Sequence, residues 1–391
     1  MNKLIFTILT ITLLQGNIEK SLAQSSEQSS NPSSTISPRA FQVSFIPYFG
    51  TNGLNSENYI NNFSLNILAG YNGGTSGFEI GGLVNIDRYE VSATQIAGIG
   101  NHGGKTAKGV QIAGIYNISK VMKGSQIAGI SNLTTSMKGV QIAGISNHTI
   151  KGNCGQIGGL VNLTLENAIF QIGGLTNHAR TCKGVQIAGL VNTATESTGS
   201  QIAGIVNIAR TVRGSQIAVI NIADTCKGVP IGVINIIKNG YQRFELSADE
   251  FFQANFSYRS GVEKFHTILS VGIQPQDLGA PLWTYGTGLG TSQALSSKTL
   301  LDFDMSFNHI LKKGDAGNNY HYKIYMGLDK ILNNHLSLAF GLSYNFLTTD
   351  IRNSEYGKYY SDIAPYSFSN QTYSRTNLRT WAGAKIGLRF R

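Results

Sequence analysis

Between residues 95 and 235 the chain repeats one pattern of polar and apolar positions. Gln-Ile recurs at Gln95, Gln111, Gln126, Gln141, Gln156, Gln171, Gln186, Gln201 and Gln216, with a first step of 16 and every later step 15. The unit reads Gln-Ile-Ala/Gly-Gly-Ile/Leu-x-Asn, then about six variable residues, then often Lys-Gly-Val/Ser. Glu79–Asn85 is a degenerate leading copy and Pro230–Asn235 a degenerate last one. Within a unit, Ile112 and Gly114 share one strand face while Ala113 and Ile115 share the other; a period of two is the signature of β structure. Apolar residues on both faces predict a strand covered on both sides. Glycine at the centre predicts close approach of another layer, and Lys-Gly a turn.

Two architectures can use this unit. In a parallel β-solenoid each repeat is one coil, and Gln and Asn stack in ladders. In an antiparallel barrel each repeat is one wall strand plus a turn. The unbroken period favours the solenoid, because stacking penalises any change of coil length, whereas barrels alternate short turns with longer loops. Larger-barrel strands remain the alternative.

The flanks alternate differently. Phe63, Leu65, Ile67, Ala69 and Tyr71 interleave with polar residues; so do Phe252, Ala254, Phe256 and Tyr258, and the run Leu336 to Phe346. Strands with one apolar and one polar face suit an outer-membrane-type barrel. The expected strands are 41–50 and 62–72 before the repeats. After them come 243–258, 264–274, 298–311, 319–331, 335–347 and 380–390, with 282–290 as a further strand or a loop. Of 18 Phe, 17 Tyr and 2 Trp, only Tyr116 and Phe170 lie in residues 95–235. The expected organisation is a signal peptide at 1–23 (Lys3, the apolar core Leu4–Leu14, small residues Ser21 and Ala23) and a disordered Ser-rich linker at 24–39. N-terminal barrel strands at 40–77, the 15-residue repeats at 78–240 and C-terminal barrel strands at 241–391 follow.

The repeats GVQIAGISN and GSQIAGIVN, the stretch VPIGVINIIKNG and the final AKIGLRFR resemble bacterial outer-membrane-associated surface-repeat proteins. The likeness covers residues 41–391 and is most specific at 78–240. It implies an envelope location and carries over no catalytic residues. The C-terminus also resembles the signal read by the barrel-assembly machinery, although here Phe390 is penultimate and Arg391 follows.

Composition narrows the chemistry. The chain has 391 residues, 46 of them Gly, and only 13% are charged. That excludes a coiled coil and argues against a helical enzyme. Residues 95–235 hold 11 Lys+Arg and 3 Asp+Glu, a net +8 of the chain's +10. Lys108, Lys123, Lys138, Lys183, Arg213 and Lys227 occupy equivalent places before the turn glycine. Stacked coils would align them as an anion-contact ridge for lipopolysaccharide or another acidic polysaccharide. Equally they could be a solvated edge that blocks strand-to-strand pairing. Nucleic acid is disfavoured, because stacking aromatics are missing from the basic region.

Cys154, Cys182 and Cys226 fall in different copies, too far apart for a disulfide. His102, His148 and His178 share one repeat position but lie coils apart, too far for a shared metal. Asp302 and Asp304 share the polar face of one strand and His309 has the opposite parity, so they read as barrel lining; a lipid-modifying site of Asp302, Asp304 and His321 is a weaker reading. No catalytic motif, metal pattern or cofactor loop is present. The expected protein is a non-enzymatic outer-membrane or cell-surface β protein with a structural or surface-interaction role. Its partners would be outer-membrane lipid and the barrel-assembly machinery. The alternative is a transport pore with the repeats in its wall.

Overall fold

A computed structural model describes residues 36–275, 281–311, 318–350, 363–373 and 376–391. The signal-peptide expectation and most of the linker lie outside them. The described residues are 76% strand and 2% helix, and they divide into a parallel solenoid of about 12 turns and a closed antiparallel barrel of eight strands.

The solenoid coils from Ser37 to Ile237. Equivalent Gln and Asn residues of successive repeats stack in register: Gln111 on Gln126, Gln126 on Gln141, Asn117 on Asn132, Asn132 on Asn147. A typical coil has one strand ending at Ala128, a bend at Gly129-Ile130, a second strand from Ser131 and a second bend at Lys138-Gly139, where Gly139 takes a left-handed φ of 141°. The two bends close opposite edges of a flattened ring.

The interior is polar. Gln95 through Gln216 and Asn85 through Asn235 are buried. From Gln111 onward each Gln amide donates to the Gln of the preceding coil, as from Gln126 to Gln111 at 2.8 Å, and Thr134 Oγ1 donates to Gln126 Oε1 at 2.7 Å. Each Asn also clamps a bend: Asn132 Nδ2 donates to the Ile142 carbonyl at 2.8 Å and to Asn147 Oδ1 at 2.9 Å. The buried amides thereby find partners in their own columns, which is what makes a polar core tolerable; Gln216 Oε1, where the column ends on Pro230, is left without one. Toward the Lys-Gly edge the interior turns apolar, with Val91, Ala107, Met122, Met137 and Cys154 packed together.

The bend glycines are dictated by stacking. A Cβ on Gly129 would lie 2.1 Å from the Gly114 carbonyl oxygen, and one on Gly144 2.1 Å from that of Gly129. No side chain fits there.

The barrel strands are β1 (Tyr241–Asp249), β2 (Ala254–Val262), β3 (Phe265–Gln274), β4 (Leu282–Ser296), β5 (Thr299–Leu311), β6 (Asn319–Ile331), β7 (Leu336–Thr349) and β8 (Thr376–Phe390). Consecutive strands pair antiparallel, and β8 pairs with both β7 and β1, which closes the cylinder. Ser369–Tyr373 extends the wall as a hairpin partner of β8. Phe244, Leu246, Phe256, Trp283, Phe303, Met305, Leu342 and Ile386 point outward and are exposed, while their polar neighbours face in.

Several expectations are corrected. The segments expected as N-terminal barrel strands, 41–50 and 62–72, are solenoid coils: Phe41 pairs parallel with Phe63 and Leu65 with Ile80. The solenoid therefore starts near Ser37, inside the expected linker, rather than at residue 78. Segment 243–258 is two strands, because residues 250–253 turn and bury Phe251 and Phe252 in the barrel mouth. Segment 282–290 is a wall strand that continues to Ser296. The repeats pair in parallel with one another, so they are not strands of one larger barrel. The isoleucine of the Gln-Ile step is not covered on its outer face: Ile127, Ile142 and Ile172 remain exposed.

Candidate functional site

The six cations of the expected ridge all lie on the Lys-Gly edge and are exposed. Lys108, Lys123 and Lys138 are direct register partners in three successive coils. The column then breaks. Lys138 pairs with Asn153, a register shift follows, and the next coil presents the apolar Ile169. A second run holds Lys183, Thr198, Arg213 and Lys227 in successive coils, with the backbone N–H of each of the last three bonded to the coil before. None of the six forms an ion pair with a described residue. The ridge is thus two separate triads of cations, with neighbouring coils about 4.8 Å apart.

His102, His148 and His178 do share one column, interleaved with Ile118, Leu133 and Leu163. Burial pushes all three imidazoles below their ordinary pKa. His178 meets Thr193 Oγ1 at 2.7 Å. No group of three or more His, Cys, Asp or Glu among the described residues could hold a metal ion. The three cysteines are free and buried. Burial raises each thiol, Cys182 up to about 11, which disfavours the thiolate form.

The densest chemistry lies inside the barrel. Glu245 on β1 accepts from Arg259 Nε at 3.0 Å, Arg389 Nε at 2.6 Å and Lys385 Nζ at 2.8 Å. Arg259 also grips Asp304 with two bonds, at 3.0 and 2.7 Å, a bidentate pairing that fixes both planes. Arg389 reaches Asp329 at 3.0 Å and Asp302, and its Nη1 donates to the Tyr241 hydroxyl at 3.3 Å. Four carboxylates and three cations from β1, β2, β5, β6 and β8 therefore tie the cylinder together across its axis. Toward the other rim, Asp249 pairs with Lys323 and caps the Phe251 and Phe252 amides at 3.0 and 2.6 Å. Glu250 accepts from Trp381 Nε1 at 2.8 Å and Asn345 Nδ2 at 3.0 Å. A cavity of about 70 Å³ separates the two polar layers, bordered by Glu245, Asp249, Asp304 and Lys323. That volume holds a few water molecules.

Asp302 and Asp304 line the interior, as their parity implied. His309 sits on the outer wall against Tyr285 Oη at 3.0 Å. His321 is inside, stacks on Trp381 and meets Asn345 at 3.0 Å; it borders the same small cavity as Asp304 but bonds to neither aspartate. The structure does not assemble these residues into one site. Sequence reading passed over Glu245, Arg259, Lys385 and Arg389. The available signal was charge at the inward parity of strands whose other face is apolar, as in Lys385, Gly387 and Arg389 against Ile386, Leu388 and Phe390.

The solenoid meets the barrel at one rim. The backbone N–H of Asn235 donates to Ser260 Oγ at 3.2 Å, Asn235 Nδ2 to Thr267 Oγ1 at 3.1 Å, and Thr267 Oγ1 to the Val233 carbonyl at 3.2 Å. The barrel thereby pairs the last Asn of the ladder, the role of a terminal cap. At this rim the connections between strands are short: 263–264, 297–298 and 332–335. The strand ends at the opposite rim are separated in sequence by 250–253, 275–281, 312–318 and 350–375.

No protein-family model and no curated protein matches the chain.

Proposed function

We propose that this protein is a non-enzymatic outer-membrane β protein of the surface-repeat kind, in which the barrel is the lipid anchor and the solenoid a rigid arm. The carrying observation is the closed eight-stranded wall with apolar side chains outside and a lattice of buried ion pairs inside. An interior polar lattice bounded by an apolar exterior is the arrangement lipid demands. A barrel of this size has room only for its own side chains, which disfavours the transport reading, and the parallel repeats cannot supply more wall.

The rims support an orientation. Outer-membrane barrels keep short turns on the periplasmic side and longer loops outside. The solenoid joins the short-turn rim, so the arm belongs in the periplasm and only the other rim at the cell surface. An anionic partner of the two cation triads is then an acidic polymer on the periplasmic side rather than lipopolysaccharide of the outer leaflet.

The test is thiol labelling of intact cells that express single-cysteine variants with a membrane-impermeant maleimide. The barrel should co-fractionate with the outer membrane. Ser367→Cys should label on intact cells, and Lys138→Cys only after the outer membrane is permeabilised. Labelling of Lys138→Cys on intact cells would reverse the orientation, and recovery in the soluble fraction would overturn the anchor.

A further inference from the structure

The edge opposite the cations is apolar and open. Two columns of eight Ile, Leu or Val side chains run its length, one from Ile127 to Ile231 just after each column glutamine or Pro230, the other from Ile130 to Val233 two residues before each column asparagine. Every one of these side chains is 36% to 50% exposed. Between the columns lies a floor of bend glycines, Gly129 through Gly204, whose missing side chains leave a groove. No Asp, Glu, Lys or Arg occupies any of these positions. At roughly 70 Å² of open surface per side chain the two columns present on the order of 1,100 Å², above the few hundred Å² usual for an apolar patch on a soluble monomer and above the ~800 Å² per partner of a standard interface.

We propose that this edge is the contact between two copies of the chain. Three features select a second copy over lipid or an unrelated partner. First, the ridges repeat at the coil spacing of about 4.8 Å; a partner that matches them along their whole length must carry the same spacing. Second, the surface is ridge, groove, ridge, and so complements itself. The more protruding column, Ile130 to Val233, slots into the glycine floor of the other copy as in a dry interdigitated sheet interface. Third, the cations sit on the far edge. They are kept apart in the pair, whereas an interfacial lipid contact needs cations beside the apolar face, not a coil's width away. A two-fold axis along the solenoid makes the contact isologous and leaves both barrels pointing the same way. The edge contact itself does not rest on the membrane reading; only the parallel alignment does.

The full chain, in whichever fraction it resides, tests this with Ile145→Cys, Leu160→Cys and Leu175→Cys made singly and oxidised in place. The native thiols are buried, so the unsubstituted protein is the background. Each edge variant should form a disulfide-linked species of twice the mass, and Lys138→Cys should not. Combining Ile145→Lys, Leu160→Lys and Leu175→Lys should abolish cross-linking through an added Ile205→Cys. The barrel's heat-modifiable gel mobility should persist as the folding control. Edge cysteines that stay uncross-linked yet react freely with a water-soluble maleimide show a monomer and overturn the proposal. Edge cysteines that neither cross-link nor react show a lipid or foreign cover and overturn it equally. Soluble recovery with edge cross-links intact would sink the anchor and leave this contact standing.

Discussion

At the scale of single residues, the solenoid stands on side chains that polar cores rarely accept. Gln126 and Asn132 are completely buried, and their amides are satisfied only because the next coil offers the same group at the same height. Near the N-terminal end the column changes to Glu79, which accepts from Asn66 and Asn72 at 2.8 Å and from Gln95 at 2.7 Å. Asp87 lies beside it and also accepts from Gln95, at 2.6 Å. Burial, and then the neighbouring Glu79 carboxylate, hold the Asp87 carboxyl well above the usual carboxylate range. The folded chain therefore keeps a proton that the unfolded chain releases near pH 4. Stability from this group is full below that value and is lost as pH rises through the raised folded value. Asp87→Asn locks in the neutral form. Thermal unfolding followed by circular dichroism should give the variant a higher midpoint than wild type at about pH 8, with the gap closing toward about pH 4. A lower midpoint at the higher pH would show that Asp87 is ionised in the folded state.

At the scale of elements, coil length was legible and strand assignment at the ends was not. A parallel stack tolerates no drift, so the repeated step of 15 from Gln111 to Gln216 read directly as coils. The first coils hide this signal: Gln42, Ser64, Glu79 and Gln95 occupy one column, but neither their identity nor their spacing is constant. Their alternation, with Phe63 and Leu65 outside and Ser64 and Asn66 buried, has the same form as a barrel strand. Both halves of this molecule put polar groups in and apolar groups out, so a period of two cannot tell them apart. The glycine column is the element-scale constraint that separates them. Gly129→Ala must push the Gly114 carbonyl away and should cost roughly 2–4 kcal/mol in denaturant unfolding of the solenoid. Ser131→Ala, whose side chain is half-buried with no bonded partner, should stay within about 0.5 kcal/mol. Equal midpoints for the two would refute close backbone stacking at the bend.

At the scale of the molecule, two β modules share one logic of polar interior and apolar exterior, joined where Asn235 meets Ser260 and Thr267. The barrel's charge lattice could not be read from sequence because its pairs depend on strand register across the cylinder: Arg259 and Asp304 are 45 residues apart, and Arg389 reaches Glu245 only because β8 closes on β1. The basic ridge was readable as six equivalent positions, and so was its first break, since Asn153 stands where the next cation would; the register shift between Thr149 and Gly155 that follows was not.

In this architecture the barrel holds itself closed and the repeats form a separable stack. The most direct measurement is the gel mobility, with and without boiling, of envelope-fractionated protein lacking residues 111–170, four whole repeats that bring Gln171 onto Gln95 in phase. The shortened protein should insert into the outer membrane and show heat-modifiable mobility like the full chain, with an arm shorter by four coils. Loss of insertion, while the full chain stays heat-modifiable, would mean that the repeats help to build the wall and would contradict this architecture.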